Sequence, residues 1–173
     1  MKRTLLALAL VLAVPMIAVA QDAAPPAAAS AHVVFTPPAL KWGPAPPGIP
    51  TAAMAAVLQG NPGEAGEFTV RLKVPANAKI MPHFHPTDEN VTVISGQFMI
   101  GMGDTFDPKS MKAMPQGSFT ILPATMHHFA MAKTACVVQI HGMGPWSVNY
   151  VNPADDPKNK PAAAPKPEPA KKK

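Results

Sequence analysis

The sequence predicts a single all-β domain, either a sandwich or a barrel. Short apolar segments recur at intervals of about ten residues after residue 51, and each one ends at glycine or proline. No amphipathic pattern long enough for a stable helix follows the first twenty residues. No segment repeats at a fixed period, so we expect the β domain to occur once.

The first twenty residues predict a secretory signal peptide. Lys2 and Arg3 precede an apolar run, and Ala18-Val19-Ala20 forms a small-x-small cleavage site before Gln21. Cleavage after Ala20 would make the mature protein periplasmic or secreted. The apolar run is short for a transmembrane helix, so we expect no membrane span. An uncleaved membrane anchor is the alternative.

Residues 21–50 form a lead rich in proline and alanine. Its first part, "QDAAPPAAAS", is typical of flexible chain. One strand-like piece covers residues 33–36, and proline dominates the rest of the lead. We therefore expect residues 37–50 to lie over the domain surface as extended chain.

Residues 51–152 are predicted to form the β domain. "EFTVRLKVP" alternates apolar and polar side chains, which indicates a half-buried strand. The dense turn chemistry of residues 60–66 favours a strand before it as well, in "TAAMAAVLQG". Residues 104–117 are predicted to be a loop with a short helical turn. The remaining predicted strands are "ENVTVIS", "QFMIGMG", "SFTILP", "HHFAMAK", "ACVVQIHG" and "WSVNYV".

The basic character of the chain belongs to its end. The formal net charge is +5, yet residues 21–157 carry seven basic and nine acidic side chains, a net charge of −2. The last part, residues 153–173, is rich in proline, alanine and lysine, and we predict that it is disordered. A folded domain without a basic surface is a poor candidate for nucleic-acid binding. Cys136 is the only cysteine, which excludes an intrachain disulfide.

The stretch "MPHFHPTDENVTVISG" carries the first chemical motif. On a strand, His83 and His85 project to one side, with Phe84 on the other. A turn through residues 87–88 would return Glu89 to the same place. Two imidazoles and one carboxylate suit a divalent first-row transition metal better than calcium. Three polar residues in a solvated turn are the alternative.

A second segment, "GSFTILPATMHHFA", lies about forty residues on. Gly117 opens a predicted strand and Pro123 closes it, and two adjacent histidines come next, His127 and His128. A third histidine at the end of a separate strand would complete a set of three nitrogens and one oxygen.

Together the two segments resemble the motifs of the cupins, which are small double-stranded β-helix (jelly-roll) barrels. The first cupin motif, G-x5-H-x-H-x3,4-E-x6-G, is similar to the spacing of His83, His85, Glu89 and Gly96. The second, G-x5-P-x-G-x2-H-x3-N, is matched at Gly117, Pro123 and His128. The resemblance implies that the metal ligands are His83, His85, Glu89 and His128. It covers roughly residues 51–151.

The chain departs from these motifs at three positions. Asn77 and Thr125 replace glycines, and Ala132 replaces the final asparagine. Asparagine tolerates the left-handed backbone conformation that glycine adopts, whereas a β-branched threonine does so less readily. The departures concern the shape of loops and not the identity of the ligands.

The resemblance implies one divalent metal ion, which could be Fe, Mn, Ni, Cu or Zn, at a site with open coordination positions. We expect an exported metal-binding cupin that acts on a small oxygenated organic substrate as a dioxygenase or isomerase, with Glu89 as ligand and catalytic proton acceptor. A non-catalytic protein that binds a metal or a small molecule is the alternative. The sequence does not decide between them. The resemblance to small single-domain cupins also implies that the chain could form a homodimer by sheet extension.

Two further residue types have alternative roles. His141 shares a strand face with Gln139, and it could assist the site if that face lines the barrel; a structural histidine is the other interpretation. Methionine and histidine also bind copper in exported proteins, and Met111 and Met114 are the pair in the predicted loop. Methionine fills irregular cores equally well.

Overall fold

A computed structural model describes residues 32–50 and 52–159. The predicted signal peptide, the first part of the lead (residues 21–31) and residues 160–173 of the predicted tail lie outside these ranges. The chain divides into residues 1–34 and residues 35–173. The second unit contains all strands of the described chain. None of the helices found in the described ranges has the length and apolar character needed to cross a membrane.

The described chain is almost entirely β, as predicted, with eleven strands and three 3-10 helices. The helices are single turns at Pro37–Ala39, Pro153–Asp155 and Pro157–Asn159. The strands are β1 (Gly43–Pro44), β2 (Met54–Gln59), β3 (Gly66–Val74), β4 (Lys79–Phe84), β5 (Glu89–Ser95), β6 (Gln97–Met102), β7 (Lys112–Pro115), β8 (Phe119–Leu122), β9 (His128–Ala132), β10 (Cys136–Gly144) and β11 (Asn149–Tyr150).

Two antiparallel sheets face each other, which is the jelly-roll arrangement that the sequence predicts. The six-stranded sheet has the order β1-β2-β3-β10-β5-β8, and the five-stranded sheet has the order β11-β4-β9-β6-β7. Sequence neighbours such as β4 and β5 lie in opposite sheets, so the chain crosses repeatedly from one sheet to the other. One consequence is that strand ends distant in sequence meet at the same end of the barrel.

Alternating side chains fill the space between the sheets. On β3 the residues Phe68, Val70, Leu72 and Val74 are buried, as the alternation predicts. Cys136, Val138 and Ile140 lie opposite the last three of them in reverse order on β10 and are buried as well. Burial raises the pKa of the Cys136 thiol to about 11, because the charged thiolate is poorly solvated there.

Three local predictions differ from the structure. The predicted loop at residues 104–117 contains strand β7, which pairs with β6 and buries Met114. β7 has only four residues and ends in proline, which is too short for a visible alternation of apolar and polar side chains. It becomes a strand because it pairs with β6 in the folded protein. Residues 33–36, predicted to be strand-like, are exposed and form no strand. Residues 153–159, at the start of the predicted disordered tail, form two 3-10 helices.

The last part of the lead belongs to the barrel. β1 pairs with β2 at the edge of the six-stranded sheet. Ile49 is buried in the core. The Tyr150 hydroxyl donates a hydrogen bond to the Gly48 carbonyl oxygen at 2.7 Å, which fixes this segment to strand β11. Residues 37–50 thus differ from the prediction of extended chain over the surface, since Pro37–Ala39 is a 3-10 turn and Ile49 packs into the core.

The two positions where this chain replaces a glycine of the cupin motifs keep a left-handed backbone. Asn77 has φ 65° and Thr125 has φ 62°. The left-handed conformation therefore persists although both residues carry a Cβ. Thr125 also holds the site, since its backbone N–H donates to the His85 carbonyl oxygen at 2.9 Å.

Replacing Thr125 by glycine is expected to raise the free energy of unfolding by about 0.5–1 kcal/mol. A left-handed conformation costs a residue with a Cβ about 1–2 kcal/mol, and glycine loses roughly 0.5–1 kcal/mol more backbone entropy on folding. Urea unfolding of the metal-free protein measures the difference. Thr120→Gly, in strand β8, is the control and should lower stability. A less stable Thr125→Gly protein would show that the threonine is not strained.

Candidate metal centre

Three histidines converge at one end of the barrel. His83 lies near the end of β4, His85 follows that strand, and His128 begins β9, where it pairs directly with His83. All three are at most 3% exposed. One ring nitrogen from each lies within 4.8 Å of the others. Two nitrogens bound to one ion are at most about 4.2 Å apart, so ring movements of under about 1 Å complete the approach.

Backbone carbonyls orient the three rings. The Nδ1–H groups of His83, His85 and His128 donate to the carbonyl oxygens of Met81 at 2.7 Å, Ser147 at 2.7 Å and Met126 at 3.0 Å. A ring that donates from Nδ1 carries its lone pair on Nε2. This fixed tautomer is the usual support of a metal-bound histidine. The Nε2 atoms are therefore the three candidate donors.

Glu89 adds the fourth donor. It is the first residue of β5 and is 4% exposed. Its Oε2 lies 3.5 Å from His85 Nε2 and 3.9 Å from His128 Nε2. These distances are electrostatic contacts and not good hydrogen bonds. The four residues that the cupin resemblance selects thus meet at one point.

The donor set fits a divalent transition metal. The buried His85 Nε2 has no hydrogen-bond partner among the described residues, and a buried polar atom without a partner is unfavourable. A metal ion would satisfy it together with the other two nitrogens and the carboxylate. Three imidazoles and one carboxylate do not select among the first-row metals.

The charges of the metal-free site differ from ring to ring. Burial lowers the pKa of His83 well below its ordinary value, with help from the neighbouring rings of His128 and His85. Burial also lowers the pKa of His128. Burial acts on His85 in the same direction, but the Glu89 carboxylate outweighs it and raises the pKa of His85. A metal that binds Nε2 of His85 therefore competes with a proton more strongly there than at His83 or His128.

The donors open into a small, mainly apolar cavity of about 30 Å³. A water molecule needs about 10–15 Å³ of such space, so the cavity has room for an ion and one or two water-sized ligands. Besides the four donors, the wall consists of Ile49, Ile80, Val91, Phe98, Ile100, Leu122, Ala130, Val138, Ile140 and Trp146.

Trp146 and Ser147 belong to the site although the motifs do not contain them. The indole of Trp146 stacks on the His85 ring, with centroids 5.2 Å apart and an angle of 18° between the planes. The Ser147 carbonyl orients the same histidine. An aromatic residue just after the last long predicted strand was the sequence feature that could have indicated this, but it is also typical of a core residue.

His127 lies on the other side of the strand from His128, as alternation predicts. Its Nδ1 contacts the Asp104 carboxylate at 2.6 Å, and its side chain is 38% exposed. Its ring stacks on Phe84, which also faces away from the three-histidine cluster. His127 is thus separated from the cavity.

Other candidates lie away from the cavity. His141 alternates with the buried Ile140, so it lies on the outer face of its sheet, where its ring stacks on Phe119. The face that it shares with Gln139 does not line the barrel. Met111 and Met114 are buried, and no methionine of the described residues lines the cavity.

Comparisons with known proteins identify the fold. Neither a protein-family model nor a curated protein sequence matches this chain. Among solved structures, the chain is similar to the polyketide cyclase RemF from Streptomyces resistomycificus, with 16% identity, a TM-score of 0.60 and coverage of 73% of this chain and 90% of that one.

Two further solved structures show the same fold. An acetylacetone dioxygenase from Acinetobacter johnsonii has 14% identity and a TM-score of 0.52, over 69% of this chain and 78% of that one. An RmlC-like cupin from Shewanella frigidimarina has 18% identity and a TM-score of 0.51, over 66% and 91%. With two facing antiparallel sheets and these structural relatives, the chain has the cupin fold.

Proposed function

We propose that this protein is an exported metal-dependent cupin that acts on a small oxygenated molecule, in the manner of a dioxygenase. One observation carries the proposal: three Nε2 atoms and a carboxylate converge in a buried cavity. Three histidines and one carboxylate leave open positions on a five- or six-coordinate ion, whereas structural zinc sites are closed and often contain cysteine.

The protein's own residues would prepare the reaction. A bound divalent metal would supply Lewis acidity and, for iron, copper or manganese, redox chemistry. The apolar wall excludes water, which strengthens electrostatic interactions inside the cavity. Glu89 is the one carboxylate at the cavity among the described residues, so it is the candidate proton acceptor. Structural relatives named as a dioxygenase and a cyclase show that this fold supports such enzymes.

Export remains part of the proposal. It rests on the signal-peptide pattern of residues 1–20 and on the cleavage site after Ala20. A mature chain that begins at Gln21 in the periplasm or the medium would support it. N-terminal sequencing of the native protein provides this measurement.

The size of the cavity favours a second candidate, a non-catalytic protein that binds a metal with a very small ligand. Sites for organic ligands usually have about 300–1,000 Å³, and this cavity has about 30 Å³. Ile49 and Trp146 also line surface clefts of about 240 Å³ and 440 Å³. An organic substrate of more than a few atoms would have to displace one of these two side chains to reach the donors.

Replacing Glu89 by glutamine separates the two candidates. For an enzyme, we expect turnover to fall by about 10²–10⁴-fold at saturating metal, because glutamine cannot accept a proton. Elemental analysis of the native protein identifies the metal, and oxygen uptake on a panel of enediols, 1,3-diketones and flavonols measures turnover.

Glu67→Gln is the matched control, since Glu67 is exposed on β3. It should leave turnover unchanged. One metal ion per chain without turnover on any substrate would favour the binding protein. A native protein without stoichiometric metal would contradict both candidates.

A further inference from the structure

Two buried side-chain atoms of the described residues lack a hydrogen-bond partner: His85 Nε2 and Trp146 Nε1. They belong to two rings that stack on each other. Both residues line the same cavity. The metal ion of the proposed function would satisfy the histidine nitrogen. The indole nitrogen needs a different partner, because an indole N–H only donates.

The backbone holds the indole in place beside the donors. The Trp146 backbone N–H donates to the Pro62 carbonyl oxygen at 2.6 Å. The next residue, Ser147, accepts the hydrogen bond from His85 Nδ1. Trp146 is 6% exposed, so water from the surface does not readily supply the missing acceptor. Its position is therefore fixed relative to His85.

Trp146 is the one hydrogen-bond donor of the cavity wall, because every other described residue there, apart from the four candidate ligands, has a hydrocarbon side chain. The acceptors that the protein itself brings to the cavity are the Glu89 carboxylate and the Nε2 atoms of the three histidines. None of them partners the indole nitrogen, so an acceptor for it inside the cavity must come from a bound molecule. In an apolar surrounding, an unpaired buried donor is unfavourable and a hydrogen bond to a charged acceptor is strong.

We propose that the Trp146 indole N–H donates a hydrogen bond to an oxygen atom of a small carboxylate or similar oxyanion that shares the cavity with the metal. The cavity volume limits this ligand to a few atoms. The inference rests on the proposed metal site, and it makes Trp146 a residue that selects oxygen-bearing ligands. Formate is the smallest probe of this class.

Nuclear magnetic resonance of the Trp42→Phe protein tests the contact directly. The chain has only two tryptophans, so this variant keeps a single indole N–H, that of Trp146. Trp42 contacts Lys73, is not among the residues that line the cavity, and its loss should not alter the metal site. With the diamagnetic ion Zn(II) bound, we expect added formate to move the indole proton resonance downfield. A resonance that does not move at saturating formate would overturn the inference.

Formate affinity provides the second test. In the Zn(II)-loaded protein, Trp146→Phe should weaken formate binding by roughly 10-fold or more, the range for a lost hydrogen bond to a charged acceptor. Trp42→Phe, the same substitution away from the cavity, should leave the affinity unchanged. Equal affinity in both variants, or no formate binding to the loaded protein, would overturn the inference. Failure of Zn(II) itself to bind would instead overturn the proposed function and, with it, this contact.

Discussion

Replacing His128 by asparagine is expected to lower the affinity for Zn(II) by more than about 100-fold, whereas His127→Asn should leave it within about twofold. The two residues are adjacent in sequence, but only His128 is buried in the three-histidine cluster. Loss of a partner that merely supports a ligand costs about 10–100-fold in metal affinity, so loss of a ligand should cost more. Competition with a chelator of known affinity measures both variants.

The adjacent pair also controls for general damage to the fold. His127→Asn removes an exposed contact with Asp104, and exposed ion pairs contribute about 0–1 kcal/mol. Circular dichroism should show the same β content in both variants. If His127→Asn weakens Zn(II) binding as much as His128→Asn, the ion is not bound where the three buried rings meet.

The metal-free protein is expected to lose stability steeply as the pH falls below 6.5. His83 and His128 have folded-state pKa values below their ordinary value of 6.5. Below pH 6.5 the unfolded chain therefore binds up to two protons that the folded chain does not. The free energy of unfolding should fall by up to about 1.4 kcal/mol per histidine for each pH unit. The loss should level off once the pH is below both folded-state pKa values.

His85 acts in the opposite direction and at higher pH. Its folded-state pKa is raised by Glu89, so its contribution to stability is complete below pH 6.5 and is lost as the pH rises through the raised pKa. The metal-free protein should therefore be most stable slightly above pH 6.5. Above that point, rising pH should instead strengthen metal binding, because a metal displaces the proton of His85.

Urea unfolding at a series of pH values in the presence of a chelator measures this profile. His83→Asn is the control, since it removes one of the two depressed histidines and should reduce the slope below pH 6.5 by up to about 1.4 kcal/mol per pH unit. A flat profile between pH 5 and 6.5 would mean that the cluster takes up protons in the folded state. The rings would then be more solvated than their burial indicates.

The four candidate donors that the cupin resemblance selects could be located in the sequence because each of them is tied to strand geometry. His83 and Glu89 lie at strand ends that a period of two and turn residues mark, and alternation separated His127 from His128. The same reasoning failed for β7, whose four residues form a strand only by pairing with β6. It also could not decide whether His141 faces the barrel interior. Alternation shows that His141 and Gln139 share a face but not whether that face is buried.

The lining and the volume of the cavity could not be predicted from local sequence patterns. Trp146 approaches His85 because β10 returns the chain to the end of the barrel where β4 ends. The distance between these segments along the chain exceeds the range of any periodicity. The volume of about 30 Å³ likewise depends on how side chains from many strands pack together.

Ile49 forms part of the cavity wall from outside the strands that carry the donors, and the Tyr150–Gly48 hydrogen bond anchors its segment. Ile49 belongs to the proline-rich run and not to a strand that carries a candidate donor, so a substitution there would change the cavity wall and leave the four candidate donors in place. Under the proposed function, proteins that share the four candidate donors would differ in the shape of the cavity when they differ at this position. A search for relatives of like specificity should compare residues 43–50 as closely as it compares the histidines.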